Sequence, residues 1–233
     1  MSIHLKLIKK QYSFYNLLVG KKIIFAITGI ILISFVLVHL LGNLTIFAGR
    51  DILNNYAHVL HENKILFIIS NLIIITSLIT HIWISIQLTL INRKAKSVKY
   101  INQQYLQPSL SARNMMITGT IIALFIIFHL YHFAGSNLYA NEYNLIDDQG
   151  KKDIFLMIIQ EFSYIPISII YMFSITILGL HLNHAIFSFF QTIGLLKTEK
   201  IINTMKRTSK KISFFLFFGY IIIPITILLK IIK

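Results

Sequence analysis

Apolar residues in this chain fall into five long runs separated by polar segments. Crossing the roughly 30 Å hydrocarbon core of a bilayer takes about 17–25 helical residues, and each run is at least that long. The interiors of the runs lack Asp, Glu, Lys and Arg, so none has the polar face of a helix on a soluble protein. The pattern predicts an all-α integral membrane protein with five transmembrane helices. They form a single domain over residues 23–233, with spans at about 23–47, 65–91, 115–134, 162–190 and 212–232.

Basic residues alternate between the segments that separate these runs. The N-terminal segment 1–22 and the loops after the second and fourth runs are rich in Lys and Arg, the last with Lys197, Lys200, Lys206, Arg207, Lys210 and Lys211. The loop after the first run is balanced, and the loop after the third is net acidic. Because positive charge collects in cytoplasmic loops, the N-terminus is predicted in the cytoplasm and the C-terminus outside.

The segment 1–22 mixes lysines with apolar residues, which fits either a helix along the cytoplasmic interface or a flexible tail. The first apolar run is too long for a signal peptide, so no cleavage is expected.

Composition narrows the possible chemistry. The chain is 56% hydrophobic and only 13% charged, with 22 basic and 8 acidic residues in 233, a net charge of +14. In a soluble protein that excess would suggest nucleic acid, whereas here the cytoplasmic loops account for it and membrane lipid is the expected surrounding. There is no cysteine. This excludes thiolate-bound iron–sulfur clusters and covalently attached c-type haem, so a bound metal would need histidine or carboxylate ligands.

Four of the nine histidines lie inside predicted spans, where ionisable groups are costly and usually functional. At a rise of about 1.5 Å per residue, His39 and His129 lie roughly 6 and 7 Å from their span midpoints toward the outer face. His81 and His181 lie about 4–5 and 7 Å toward the cytoplasm. The four therefore form an outer and an inner pair.

A short repeat precedes the two outer histidines. Ile-Thr-Gly ending at Gly29 is followed ten residues later by His39, and the same sequence ending at Gly119 is followed ten residues later by His129. Both glycines fall near the level of the inner pair. Two interpretations stay open: a flat macrocycle packs on the bare helix surface, or the glycines allow close helix packing.

Paired imidazoles can bind zinc, copper or haem iron. Zinc usually takes four ligands at one level, and each level here offers two. Bis-histidine ligation of a haem needs one ligand on each face and leaves no open position, so such a haem carries electrons. Without cysteine the attachment would be b-type, and the sequence predicts two haem b groups in a bundle of the first four helices.

Other histidines have less definite roles. His132 and His184 follow two of the ligands by three residues, where they either bond a haem propionate or are solvated at the interface. His58 and His61 lie in an outer loop beside Glu62, and either move protons at an outer pocket or are simply solvated.

These residues also carry a resemblance that runs in order from about residue 20 to 195. The chain resembles the single-polypeptide, two-haem cytochrome b membrane anchor of succinate dehydrogenase, a succinate:quinone oxidoreductase. The motifs that carry it are Lys21-Lys22, Thr28-Gly29, Val38-His39-Leu40-Leu41-Gly42-Asn43, Tyr56-Ala57-His58, Thr80-His81-Ile82, Leu88-Thr89-Leu90, Asn92-Arg93-Lys94-Ala95, Met115 to Gly119, Phe128-His129-Leu130, His181-Leu182-Asn183-His184 and Ser188 to Gly194.

The resemblance implies a multi-pass anchor in the bacterial cytoplasmic (inner) membrane. It would dock a flavoprotein and an iron–sulfur subunit at the cytoplasmic face and pass electrons through two haems to a quinone, which in two-haem members of this family is usually menaquinone. Dicarboxylate chemistry would lie on the partner subunits, so no catalytic residue is expected in this chain. The implied iron ligands are the same pairs, His81 with His181 and His39 with His129, and quinone-site candidates near the outer haem are Asn43, His58, His61 and Glu62.

Other classes of membrane protein fit parts of the same sequence pattern. Some fumarate reductases carry an acidic residue close before the fourth ligand, where this chain has Gly179 and Leu180, which favours succinate oxidation. A fumarate reductase anchor, a hydrogenase or formate dehydrogenase anchor, or a cytochrome b561-like protein would share the haems. A secondary transporter is the alternative of another class, but its usual charged midplane residues are missing here.

Overall fold

The computed structural model describes residues 17–95, 114–134, 145–147 and 150–233. Every regular element longer than a turn in these ranges is helical. Seven α-helices follow one another: α1 Leu18–Leu44, α2 Arg50–Glu62, α3 Lys64–Ala95, α4 Met115–Ala134, α5 Ile154–Ser163, α6 Ile165–Thr192 and α7 Glu199–Leu228.

Five of the helices are long and apolar enough to cross a membrane, namely α1, α3, α4, α6 and α7. The predicted all-α class with five such helices is thereby confirmed. Large apolar side chains such as Ile79, Leu124 and Phe173 are exposed along their outer surfaces. In a bilayer this surface would face hydrocarbon, where each helix satisfies its own backbone hydrogen bonds.

Four of these helices form a ring. α1 contacts α3 and α6, and α4 contacts the same two helices from the opposite side. In this ring α1 therefore lies diagonally opposite α4, and α3 diagonally opposite α6. α7 packs outside the ring against α6 and α1. Its Tyr220 hydroxyl donates a 2.6 Å hydrogen bond to the Val36 carbonyl of α1, which ties the fifth helix to the bundle.

The two short helices α2 and α5 lie at one end of the bundle, called here the α2–α5 end, and contact each other. A buried apolar cluster fills this end and includes Leu53 of α2, Phe155 and Phe162 of α5, and Tyr171 of α6. A second buried cluster joins the ring to α7 through Leu40, Leu182, Ile186 and Leu216. The hydropathy pattern did not predict α2 and α5 as separate helices, because neither is long enough to span a bilayer.

Helix ends depart from the predicted spans where local signals act. α1 begins at Leu18 rather than residue 23, and a short 3₁₀ turn Thr45–Ala48 follows it before Gly49, whose φ of 108° favours glycine. The fourth predicted span divides at Tyr164, because Pro166 is placed in the first turn of a new helix, α6.

The basic segment before the fifth apolar run is helical, whereas the sequence pattern predicts a loop there. Residues 199–211 form the first turns of α7. The Thr198 side chain caps this helix by accepting the Ile201 backbone N–H. Hydropathy marks where lipid begins and carries no information on where a helix begins. Residues 1–16 of the predicted cytoplasmic segment lie outside the described residues, as do Lys96, Lys99 and Arg113.

Candidate functional site: two histidine pairs inside the ring

The four intramembrane histidines occupy two positions along the ring. His39 and His129 lie five residues before the last residues of α1 and α4, close to the α2–α5 end. His81 and His181 lie 17 and 16 residues beyond the first residues of α3 and α6, nearer the middle of their helices. Each pair therefore comes from two diagonally opposed helices, and all four side chains are half-buried.

The His81–His181 pair is supported twice by the same motif. Thr28 of α1 has its hydroxyl oxygen 3.2 Å from Nδ1 of His81, and Thr118 of α4 has its hydroxyl oxygen 3.2 Å from Nδ1 of His181. The Thr-Gly repeat thus holds the mid-bundle histidines of neighbouring helices, not the outer histidines that follow it in the sequence.

The hydroxyls select one imidazole tautomer. Thr28 Oγ1 lies 3.0 Å from the carbonyl oxygens of Ile24 and Phe25, and Thr118 Oγ1 lies 3.2 Å from that of Met115. Each hydroxyl has a single hydrogen, which those carbonyls accept, so its oxygen is left to accept a hydrogen bond from the histidine. Nδ1 then carries the imidazole proton and Nε2 keeps its lone pair, as a metal-ligating histidine requires.

The two glycines of the repeat lie directly against these rings. A Cβ placed on Gly29 would come 3.4 Å from Cε1 of His81, and one on Gly119 would come 3.6 Å from Cε1 of His181. Among the described residues, apart from the neighbouring backbone of the same helix, no other group would lie within 4 Å of either Cβ. The bare helix surface therefore lets an imidazole approach, a reason that the sequence analysis did not consider.

The rings of His39 and His129 lie close together inside the ring of helices. Their ring centroids are 6.0 Å apart and their planes are inclined at 79°. Two imidazole nitrogens that each lie about 2 Å from one metal ion would put the ring centroids roughly 6 Å apart, so His39 and His129 would be spaced to hold one iron. His39 stacks on Phe35 and lies 6.2 Å from the Tyr220 ring of α7.

His129 has a hydrogen-bond partner, Tyr171, that the sequence pattern did not indicate. The Tyr171 hydroxyl of α6 lies 3.1 Å from Nδ1 of His129 and 2.9 Å from Nδ1 of His132. His132 Nε2 is in turn 2.7 Å from a carboxylate oxygen of Glu161 on α5. A tyrosine within the apolar run of residues 162–190 was the available signal, because a buried phenol needs a hydrogen-bond partner.

The other predicted site residues lie in separate local contacts. Asn43 donates to the His39 carbonyl at 2.7 Å, and His184 is 3.0 Å from the Ser188 hydroxyl one turn along α6. In α2, the His61 ring contacts its own helix at the Ala57 carbonyl. That Asn43 binds quinone and that His184 bonds a haem propionate both stay predictions.

His58 and Glu62 of α2 contact the segment before α5. His58 Nε2 lies 3.3 Å from the Asp147 carboxylate and 3.3 Å from the Lys152 carbonyl. Glu62 is paired with Lys151 at 2.8 Å, which holds the pKa of this exposed carboxyl below its usual range. These contacts join the two short helices, and whether quinone binds there stays a prediction.

Asp153 organises the same end of the bundle. Its carboxylate is fully buried and accepts hydrogen bonds from Arg50 Nε at 2.6 Å, Asn54 Nδ2 at 2.9 Å and the Leu156 backbone N–H at 3.0 Å. Burial alone would raise the pKa of Asp153, but these donors outweigh it and hold the pKa below its usual value. Asp153 is thus both the N-cap of α5 and its link to α2.

The donor set fits a haem better than a polynuclear or zinc site. Across the described ranges, no group of three or more His, Cys, Asp or Glu side chains is placed to hold a metal ion. A haem would bring four nitrogen ligands of its own and take two more from the protein, which is the number of histidines in each pair.

Comparisons of the chain with protein-family models, with curated proteins and with solved structures found no match. The fold defines the class: a helical protein with five helices long and apolar enough to cross a membrane. The family resemblance stays a prediction.

Proposed function

We propose that this chain is the dihaem cytochrome b membrane anchor of a succinate dehydrogenase. The observation that carries the proposal is the presence of two histidine pairs at two positions inside one four-helix ring. In each pair the ligands come from diagonally opposed helices, and three of the four rings have an Nδ1 contact to a hydroxyl group. Haem b, when bound, accepts one electron and passes it on.

The residues of the chain would each contribute a definite part. His81 and His181 would hold the inner haem, with Thr28 and Thr118 fixing the tautomer that leaves Nε2 available. His39 and His129 would hold the outer haem. The apolar ring helices would exclude water from both groups and so would favour electron transfer along the bundle.

The basic first turns of α7 support the partner half of the proposal. Lys200, Lys206 and Arg207 belong to a helix that continues beyond its apolar part, at the end of the bundle opposite α2 and α5. At the cytoplasmic face, this surface would help to dock the iron–sulfur and flavoprotein subunits. A quinone, proposed as menaquinone, would accept the electrons near the outer haem in a bacterial cytoplasmic membrane.

The deciding experiment is purification of the intact complex from membranes, followed by haem analysis and a succinate-to-quinone assay. We expect a reducible b-type spectrum, two haems per polypeptide and a copurified flavin-bearing subunit. A folded preparation without haem would refute the proposal. Two haems with a partner that lacks flavin would instead identify another dihaem anchor.

A further inference from the structure

A continuous line of hydrogen-bonding side chains leads away from the His39–His129 pair. It runs from His129 through the Tyr171 hydroxyl and the His132 ring to the Glu161 carboxylate, with successive separations of 3.1, 2.9 and 2.7 Å. Three helices contribute to it, α4, α6 and α5. The side chain of His132 is 13% exposed and that of Glu161 is 34% exposed, so the line ends at a partly open surface.

One arrangement of protons along this line leaves His129 able to bind a metal. In it, the Glu161 carboxylate accepts the proton of His132 Nε2, and the unprotonated Nδ1 atom of His132 accepts the Tyr171 hydroxyl proton. The Tyr171 oxygen then accepts the Nδ1 proton of His129, and Nε2 of His129 keeps its lone pair. Every donor in the line therefore points toward Glu161.

The surroundings of the line make it effective. Tyr171 is 4% exposed and lies against the rings of Phe125, Phe133 and Phe162, with centroids 4.9–5.8 Å away. Hydrogen bonds in such a low-dielectric setting are stronger and polarise one another. An anion at the far end therefore draws the His129 Nδ1 proton outward and makes the imidazole a stronger electron donor.

Within the described part of the chain, no comparable line of side chains joins the His81–His181 pair to a carboxylate. Its threonine hydroxyls pass their protons to neutral backbone carbonyls of their own helices. The two pairs are thus chemically different ligands even though all four residues are histidine.

We propose that Tyr171, His132 and Glu161 are positioning residues that orient His129 and increase its electron donation, and so lower the reduction potential of the haem it holds. This inference rests on the proposed function, because it presupposes that the His39–His129 pair binds a haem. A stronger donor stabilises the oxidised iron. Removing the anion or breaking the line should therefore raise the potential of that haem alone.

The test is a redox titration of both haems in the purified complex at one fixed pH. We expect Glu161→Gln and Tyr171→Phe each to shift the outer haem to a higher midpoint potential and to leave the inner haem unchanged. The double variant should match Tyr171→Phe alone, because the anion no longer reaches His129 once the hydroxyl is gone. Asp51→Asn, which removes an exposed carboxylate from the same end of the bundle, is the matched control and should shift neither haem.

Two results would overturn the inference. One is an outer potential that is unchanged in both single variants. The other is a Glu161→Gln shift that persists in full in the Tyr171→Phe background, which would mean a direct effect of charge through space. If Tyr171→Phe does not fold, His132→Phe breaks the same line with the ring contact to Phe128 retained. Absence of haem from the wild-type complex would refute the proposed function, whereas two haems insensitive to these variants would refute this inference alone.

Discussion

The two histidine pairs are held by different means although they lie in one bundle. His81 and His181 are supported symmetrically, each by a Thr-Gly step on the preceding ring helix. His129 is bonded instead to Tyr171, while His39 packs against Phe35 of its own helix. The α1–α3 half of the ring repeats the α4–α6 half at mid-bundle, and the repeat is lost toward the α2–α5 end.

The difference shows what the surroundings of a ligand can add to it. A threonine hydroxyl orients an imidazole and adds no charge, so it sets geometry. The line through Tyr171 and His132 ends on a carboxylate, so it can set both geometry and electron donation. The following variants test whether the two pairs differ as their surroundings indicate.

Loss of a ligand should have the largest effect and should separate the pairs. His39→Ala or His129→Ala is expected to remove the outer haem preferentially, and His81→Ala or His181→Ala the inner one. Haem content per polypeptide and the reduced spectrum of each variant measure this. The control His61→Ala, whose ring contacts its own helix, should retain both haems. If His39→Ala and His81→Ala lost the same haem, the assignment into pairs would be wrong.

Asp153→Ala should weaken the α2–α5 end selectively. It removes the buried carboxylate that accepts from Arg50 Nε and Asn54 Nδ2, at a cost of about 3 kcal/mol in the free energy of unfolding. Chemical denaturation in detergent, monitored by the release of each haem, should show that the variant loses the outer haem at a lower denaturant concentration than the wild type. Asp51→Ala, a change at an exposed acid of α2 at the same end of the bundle, should cost about 0.5 kcal/mol or less.

The buried carboxyl of Asp153 should also make the stability of the protein depend on pH. Because the folded-state pKa of Asp153 is lower than its usual value near 3.9, its stabilising contribution is complete above that value. The contribution is lost as the pH falls through the folded pKa. Wild-type stability should therefore decline below about pH 4 by more than that of Asp153→Asn. Parallel declines in the two proteins would contradict the prediction.

Removing the hydroxyls of Thr28 and Thr118 should affect only the His81–His181 pair. Thr28→Val and Thr118→Val keep the side-chain shape but remove the hydroxyl oxygen that lies 3.2 Å from Nδ1 of His81 or His181. Loss of such a contact typically costs about 10–100-fold in metal-site affinity. Haem retention during dilution measures it, and Thr120→Val, an exposed position on α4, is the control. A weakened outer haem in Thr118→Val would count against the separate support of the pairs.

The smallest effect is expected at the glycine beside His181. A Cβ on Gly119 makes only an ordinary contact with the ring, so Gly119→Ala should retain the inner haem and stabilise α4 by about 0.5–1 kcal/mol. Gly42→Ala is the contrasting variant, because its Cβ would come 2.5 Å from the Tyr56 ring and should destabilise by about 1–3 kcal/mol. Loss of the inner haem in Gly119→Ala would instead support a macrocycle packed on the glycine.

Sequence reasoning identified the intramembrane histidines and placed them at two levels, since spacing along a helix converts directly into depth. It did not identify the groups that hold the rings. Thr28 and His81 are 53 residues apart, and Tyr171 is 42 residues from His129. Such contacts depend on how far each helix is rotated about its axis, and a run of uniformly apolar residues carries little signal for rotation.

What the sequence determined by itself is the class of the molecule and the register of its histidines. A lipid-exposed helix must be apolar throughout and satisfy its own backbone, so hydropathy alone reveals the five long helices. Only the tertiary structure decided that the Thr-Gly repeat supports the mid-bundle pair. It also decided that Asp153 joins α5 to Arg50, 103 residues away, and that His132 and Glu161 extend from His129. Those choices arise from side chains brought together by helix packing, where distance along the chain is no guide.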